Sequence, residues 1–157
     1  MLMRVHLGEI HNKAAIIDVA DDGRTISFNH ENGLIDFIGG HVKFTVRRDP
    51  VTGKYFTITN DKNTGDVPTE RNTLYLAVSD DLRQWRKLKL LLFDDTGLPP
   101  EYSCKLTGFQ YPDWQFDGDN LIYLVRTAYR GAHNFHDSNR ITYHVECNFR
   151  RLIDSKI

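Results

Sequence analysis

The sequence has only two cysteines, no long apolar run and almost no net charge, and each shortage excludes a class of protein. Cys104 and Cys147 lie too far apart in the chain for a zinc motif, so we expect two buried thiols, with one disulfide as the alternative. A net charge of −1 without a basic stripe argues against a nucleic-acid partner. No apolar segment approaches the roughly 20 residues of a membrane helix.

The beginning of the chain also lacks the apolar stretch of a signal peptide. The first residues, MLMRVHLGEIHNK, are interrupted by charged and polar side chains. This predicts a cytoplasmic protein, or one whose leader is not part of this chain. The 157 residues, 40% hydrophobic and 26% charged, suffice for one globular domain with a core, so we predict a single domain over 1–157.

Helical patterns are almost absent, and short segments rich in β-branched and aromatic residues alternate with turn residues. This pattern predicts the all-β class. The predicted strands are 14–19, 42–47, 54–59, 73–78, 85–92, 109–116, 121–127 and 140–145. The predicted turns at 21–23, 49–53 and 117–120 combine Asp, Asn, Pro and Gly, and 60–71 and 130–139 are longer polar loops.

The strand pattern repeats at an interval of 67 residues. A shift by this interval aligns 53–60 with 120–127 and 71–85 with 138–152, without a gap. A unit of this length with three or four antiparallel strands is typical of a β-propeller blade. We therefore predict a partial propeller of antiparallel four-stranded blades, a little over two in number. Its parts are the remainder of a preceding blade at 1–38, a blade at 39–106 and a blade at 107–157.

A chain of this size cannot close a propeller by itself, because propellers need about four to eight blades. Three arrangements remain open: part of a longer protein, an oligomer that completes the ring, or an open stack of sheets. An open ring leaves sheet edges uncovered, and such edges pair with other chains. We therefore expect self-association that covers the open blade edges.

Three segments resemble the C-terminal part of bacterial sialidase-like propeller proteins: RNTLYLAVSDDLRQW, GFQYPDWQFDGDNLIYLVRTAY and NFHDSNRITYH. The resemblance covers roughly residues 32–151. It implies either an exo-acting glycoside hydrolase for terminal sugars of glycans, or a non-catalytic carbohydrate-binding or structural module. No metal motif and no cofactor motif is present. Ser79, Asp81 and Trp85 partly match the Asp box of this family, and we predict that they stabilise the outer hairpin.

Propellers usually bind ligands at one end of the central channel, where inner strands begin and the loops between second and third strands lie. Arg126 ends its predicted strand at that rim, and its planar donors suit the carboxylate of a sugar acid such as sialate. The alternative for Arg126 is an ion pair with a neighbouring blade. The predicted substrate-binding residues are Arg71, Gln110, Tyr111, Arg126, His136, Asn139 and Arg140.

Two carboxylates are the predicted acid/base candidates. Asp113 stands on an inner strand beside Trp114, whose apolar ring favours the protonated acid that a glycosidase needs. Asp137 belongs to the loop HNFHDSN, which has no role in the predicted core. The alternatives are an anchor between blades for Asp113 and a loop-ordering role for Asp137. Asp49 and Glu146, by contrast, are predicted to be turn residues.

Overall fold

The computed structural model describes residues 1–62, 67 and 69–155, and these form three antiparallel β-sheets. The strands are β1 (Leu2–Arg4), β2 (Lys13–Val19), β3 (Ile26–Phe28), β4 (Leu34–Asp36), β5 (Val46–Arg48), β6 (Tyr55–Thr59), β7 (Thr73–Ser79), β8 (Arg86–Phe93), β9 (Gly108–Asp117), β10 (Asn120–Ala128) and β11 (Arg140–Glu146). A helix, α1 (Pro100–Leu106), precedes β9, and a 3₁₀ helix (Phe149–Ile153) follows β11. The predicted all-β class is confirmed.

The N-terminal sheet, made of β1 to β4, is built around β2. This strand pairs with β1 along one edge and with β4 and then β3 along the other. Of these strands only β2 was predicted, since β1, β3 and β4 have three residues each and are too short to show an alternating pattern. The segment expected to be the remainder of a blade thus contains a four-stranded sheet.

The central sheet has the order β5-β6-β7-β8, and the C-terminal sheet has the order β9-β10-β11. β7 and β11 each have seven residues and begin 67 residues apart, so the predicted repeat is confirmed for these strands. The pairing register differs by one residue between the sheets. Phe56 pairs with Val78, while Ile122 pairs with Val145, which makes Ile122 the structural equivalent of Phe56.

The first strand of the central sheet is shorter than predicted. β5 covers only Val46–Arg48, because residues 43–45 are not paired with β6. A turn precedes them, in which Gly40 donates to the Phe37 carbonyl (3.0 Å) and Val42 to the Gly39 carbonyl (3.0 Å). The residues between this turn and β5, including Lys43, therefore follow an irregular path.

The main core lies between the central and the C-terminal sheet. It contains the side chains Phe56, Ile58, Leu74, Leu76, Val78, Leu88, Phe109, Trp114, Leu121, Tyr123, Val125 and Phe149. Buried Asn60 ties the two sheets together, since its amide nitrogen donates to the carbonyls of Thr73 and Phe109 at 2.8 Å each. A smaller cluster joins the N-terminal and central sheets, where the Phe37 ring contacts Phe44 and Trp85.

The predicted turns at 21–23, 49–53 and 117–120 are confirmed, and so is the predicted stabilisation of the outer hairpin by Ser79, Asp81 and Trp85. Asp49 closes the β5–β6 hairpin, with its backbone amide donating to the Lys54 carbonyl (2.8 Å) and its carboxylate accepting from Thr52. In the β7–β8 hairpin, Asp81 accepts bonds from Ser79 and from two backbone amides, and Trp85 Nε1 donates to the Leu82 carbonyl (3.0 Å).

Two expectations of the sequence analysis are wrong. α1 was not predicted, although Pro100 at its first position and Glu101 in its first turn favour a helix there. Of the cysteines, both of which the structure describes, neither forms a disulfide; Cys104 is buried as expected, but Cys147 is exposed.

Candidate functional site

Three cationic side chains surround the ring of Tyr111. Lys43 Nζ lies 4.9 Å from the ring centroid, Arg71 Cζ 5.0 Å and Arg126 Cζ 5.4 Å. They come from the segment before β5, the residues before β7 and the end of β10. An aromatic face attracts cations at such distances. The structure thus brings predicted residues of two sheets together in what we call the Tyr111 cluster: Tyr111, Lys43, Arg71 and Arg126.

The backbone of Tyr111 is strained. Its φ of 48° lies in the left-handed region, although Tyr111 is not glycine and is followed by Pro112, which disfavours helical conformations of the residue before it. Strained residues of this kind concentrate at functional sites. This strain has no signal in the sequence, where a tyrosine before a proline is expected to be extended.

The phenol of Tyr111 ionises more readily than an ordinary tyrosine. Burial opposes ionisation, but the hydrogen bond from Arg71 and the charges of Arg71, Lys43 and Arg126 outweigh it and lower the pKa of Tyr111. The hydroxyl oxygen also lies 3.1 Å from His136 Nε2, within hydrogen-bonding distance. The cluster therefore stabilises negative charge at this position.

Arg71 forms a buried hydrogen bond with Gln110. The guanidinium of Arg71, which is 6% exposed, donates to Gln110 Oε1 at 2.9 Å. Gln110 is fully buried, and its amide nitrogen donates to the Phe135 carbonyl. Because both ends of this amide have partners, Gln110 positions Arg71. The prediction that Gln110 contacts the sugar ring is not supported by its burial.

Arg126 is an exposed member of the cluster, as Lys43 is. Its Nε donates to Ser138 Oγ (3.1 Å), and its Nη2 lies 3.5 Å from the His136 carbonyl oxygen. A guanidinium has five N–H donors. Within the described part of the chain, these contacts use two of them, so Arg126 retains donors for a ligand. Ser138 was not predicted, and a serine in a polar loop gives no sequence signal for such a role.

The loop 133–139 presents His136 to the cluster. Asn134 Oδ1 accepts from the backbone amides of His136 (2.7 Å) and Asp137 (2.9 Å), which fixes the turn. The Phe135 amide donates to the Lys105 carbonyl (2.7 Å), so the loop rests on α1. A Cβ at Gly108 would lie 2.2 Å from the Phe135 carbonyl oxygen, so this close approach requires glycine.

The contacts of the Asp137 carboxylate lie within its own loop. Its carboxylate lies 3.0 Å from His133 Nδ1 and accepts from Asn134 Nδ2 at 2.8 Å. The bond to His133 and the bond to Asn134 lower the pKa of Asp137, although slight desolvation opposes them. A carboxylate that remains ionised and is engaged in its own loop matches the loop-ordering alternative rather than a catalytic acid.

Asp113 is not in the apolar setting that its predicted role requires. Its side chain is 84% exposed and pairs with Arg47 at 3.5 Å. Trp114 is buried in the core, and the two neighbours on β9 point to opposite faces of the sheet. The exposed carboxylate and the buried indole therefore lie on opposite sides of β9.

Asn139 and Arg140 lie apart from the cluster. The Asn139 side chain accepts from the Tyr129 amide (3.1 Å) and donates to the Tyr129 carbonyl (2.8 Å), so both ends bind backbone. Arg140 places its guanidinium 5.0 Å from the Tyr129 ring centroid. Both were predicted to bind substrate, but their contacts stabilise the residues that follow β10.

An open pocket of about 560 Å³ adjoins the Tyr111 cluster. Its walls come from all three sheets or the segments that lead into them, which places the pocket where the first strands converge. The lining residues are Leu2, Arg4, Lys43, Phe44, Thr45, Tyr111, Pro112 and Asp113. Arg4 adds a cation to those of the cluster. The volume lies within the range of small-ligand sites, roughly 300–1,000 Å³.

Buried His41 lies two residues before Lys43 of the cluster, and the charge of Arg71 acts on its ring. Neither of its ring nitrogens has a hydrogen-bond partner among the described residues. Desolvation, and then the charges of His11, Lys62 and Arg71, lower the pKa of His41 to about 4. Its ring meets that of His11 edge-on at 5.1 Å.

The described residues contain no group of three or more His, Cys, Asp or Glu side chains arranged to hold a metal ion. Within the same residues, no helix has the length and apolar composition needed to span a membrane.

No protein-family model, no curated protein and no solved structure matches the chain.

Proposed function

We propose that this chain binds the terminal sugar of a glycan, and that the sugar carries a carboxylate, as sialic acid does. The observation that carries the proposal is the Tyr111 cluster, in which three cations from different elements lie about 5 Å from one aromatic ring. Arginine and lysine beside an open pocket recognise a carboxylate, and an aromatic face accommodates a sugar ring.

The proposal includes a sialidase-like, partial β-propeller architecture. Its support is the repeat: two meander sheets of the same strand order follow each other at an interval of 67 residues, with a further sheet before them. In that architecture the pocket, where the first strands converge, would form the mouth of the channel.

The surroundings of the two candidate carboxylates favour binding without catalysis. Asp113 is exposed and paired with Arg47, and Asp137 is engaged by His133 and Asn134. A glycosidase needs one carboxylic acid that stays protonated. Asp113 lacks an apolar setting, and the carboxylate of Asp137 is already bound within its own loop.

The test is calorimetric titration with free sialic acid, against a neutral hexose as the control ligand. Replacing Arg126 by glutamine removes an exposed charge-assisted donor, so we expect affinity for the acid to fall about 10- to 100-fold. The matched control is Arg140→Gln, on the neighbouring strand, which should bind as the wild type does. Equal affinity for the neutral hexose, or equal losses in both variants, would falsify the proposal.

Hydrolysis is the second candidate, and Tyr111 is the observation that favours it. A phenol with a lowered pKa, beside His136, has the properties of a nucleophile, and sialidases use tyrosine in this way. An aryl sialoside that releases a coloured phenol tests it. Turnover by the wild type that is lost in Tyr111→Phe, with binding retained, establishes the enzyme; no turnover by the wild type leaves the binding function alone.

A further inference from the structure

The outer face of the C-terminal sheet carries apolar side chains that solvent reaches. Ile122 pairs with Val145 and Leu124 with Tyr143, so these side chains project on the same side of the sheet. Ile141 lies on that side as well, two residues before Tyr143. We call Ile122, Leu124, Ile141, Tyr143 and Val145 the C-terminal apolar face. Ile141 is 74% exposed and Tyr143 60%, which is unusual for adjacent large side chains.

The equivalent positions of the central sheet are buried. Phe56 pairs with Val78 and Ile58 with Leu76, in the same relation as the pairs of the C-terminal apolar face, and Leu74 is the equivalent of Ile141. All five are at most 3% exposed. They are buried because the C-terminal sheet packs on them through the other side of its strands. The C-terminal apolar face therefore repeats a surface that, one unit earlier, a neighbouring sheet covers.

The opposite end of the stack has an uncovered apolar surface too. In the N-terminal sheet, Met3 and Leu34 both pair with Ala15, and Ile26 pairs with Val19, which places them on one side. We call Met3, Val19, Ile26 and Leu34 the N-terminal apolar face; each is at least 45% exposed. The other side of this sheet, with Ala14 and Ile35, packs toward the central sheet.

We propose that the C-terminal apolar face docks on the N-terminal apolar face of a second copy of this chain, head to tail. The repeat supplies the argument, since the central sheet buries the equivalent surface on the sheet that follows it. The copy number rests on the proposed propeller: two chains give six sheets, within the range of about four to eight, and three chains would give nine. Two such contacts then close a ring and leave neither face exposed.

The first measurement is the mass of the wild-type chain by light scattering over a range of concentrations. We expect twice the chain mass of 18.2 kDa. Tyr143→Lys on one face and Leu34→Lys on the other should each give folded monomers, with circular dichroism as the check of folding. The matched control is Val51→Lys, at a 70% exposed residue of the β5–β6 turn, which should stay dimeric.

Mixing the two monomeric variants identifies the geometry. Each variant keeps one intact face, so a head-to-tail contact forms between them and heterodimers appear at concentrations where each alone is monomeric. If Leu34→Lys alone remains dimeric, the contact is face to face and the proposal is wrong. A monomeric wild type, or open chains of increasing mass, overturns it as well. The mass is read without ligand, so failure of sugar binding leaves this result unaffected.

Discussion

Tyr111 shows how one residue concentrates strain and charge. A left-handed backbone at a non-glycine residue costs about 1–3 kcal/mol, and other contacts must offset it. Here the ring lies among the cations of the cluster, and the hydroxyl lies within hydrogen-bonding distance of His136. These contacts fix the phenol before any ligand arrives. Such preorganisation reduces the entropy lost on binding.

His41 makes a prediction about pH. Its pKa of about 4 in the folded chain lies below the ordinary 6.5, mainly because of desolvation, so the unfolded chain takes up the proton first. Stability is therefore complete above about pH 6.5 and falls as the pH drops toward 4. Asp61 opposes this shift, whereas His11, Lys62 and Arg71 strengthen it.

The measurement is the free energy of unfolding by urea from pH 7 to pH 4, for the wild type and for His41→Leu. Because the imidazole has no hydrogen bond among the described residues, we expect His41→Leu to change the free energy of unfolding little at pH 7. From pH 7 to pH 4, this free energy should fall by about 2–3 kcal/mol less in the variant than in the wild type. His30→Leu, at an exposed histidine, is the control and should keep the wild-type slope. An unchanged slope in His41→Leu would mean that His41 is not the group that titrates.

At the scale of elements, the sequence predicts what depends on local pattern. β6, β7, β8, β10 and β11 match their predicted segments to within a residue or so, because alternation and turn residues are local signals. β5 is shorter than predicted, since a turn ends at Val42 and the residues 43–45 that follow it are not paired with β6. The pairing register of β10 with β11 differs by one residue from that of β6 with β7, and no local sequence pattern indicates this change. The register determines which side chains of β10 face outward.

The same distinction separates the predictable part of the site from the rest. Tyr111, Arg71, Arg126 and His136 meet because strand ends and loops of one rim converge, which the repeat makes predictable. Gln110 was expected at the same rim, but whether its side chain reaches solvent depends on packing against Phe135. Lys43 precedes β5 at a rim position, yet only its distance from Tyr111 identifies it as a member of the cluster.

At the scale of the whole molecule, one ion pair joins segments that lie 101 residues apart. Arg150 donates from Nε and Nη2 to the two oxygens of fully buried Asp49, at 2.9 and 2.8 Å, and from Nη1 to Asp119 at 2.8 Å. Arg150 thereby connects the 3₁₀ helix to the β5–β6 turn and to the β9–β10 turn. The bond from Arg150 and those from Thr52 lower the pKa of Asp49, against the effect of burial.

Removal of Arg150 should destabilise the whole fold, since Arg150→Met leaves Asp49 buried without its counter-charge. The expected loss in the free energy of unfolding is about 3–5 kcal/mol at pH 7. Lys54→Met, which breaks the exposed pair with Asp80, is the matched control and should cost less than about 1 kcal/mol. Because the pKa of Asp49 is lowered, the stability it contributes is present above about pH 4 and lost below it, and the variants should converge in acid. Equal losses in the two variants at pH 7 would show that the two turns are held together by the apolar core instead.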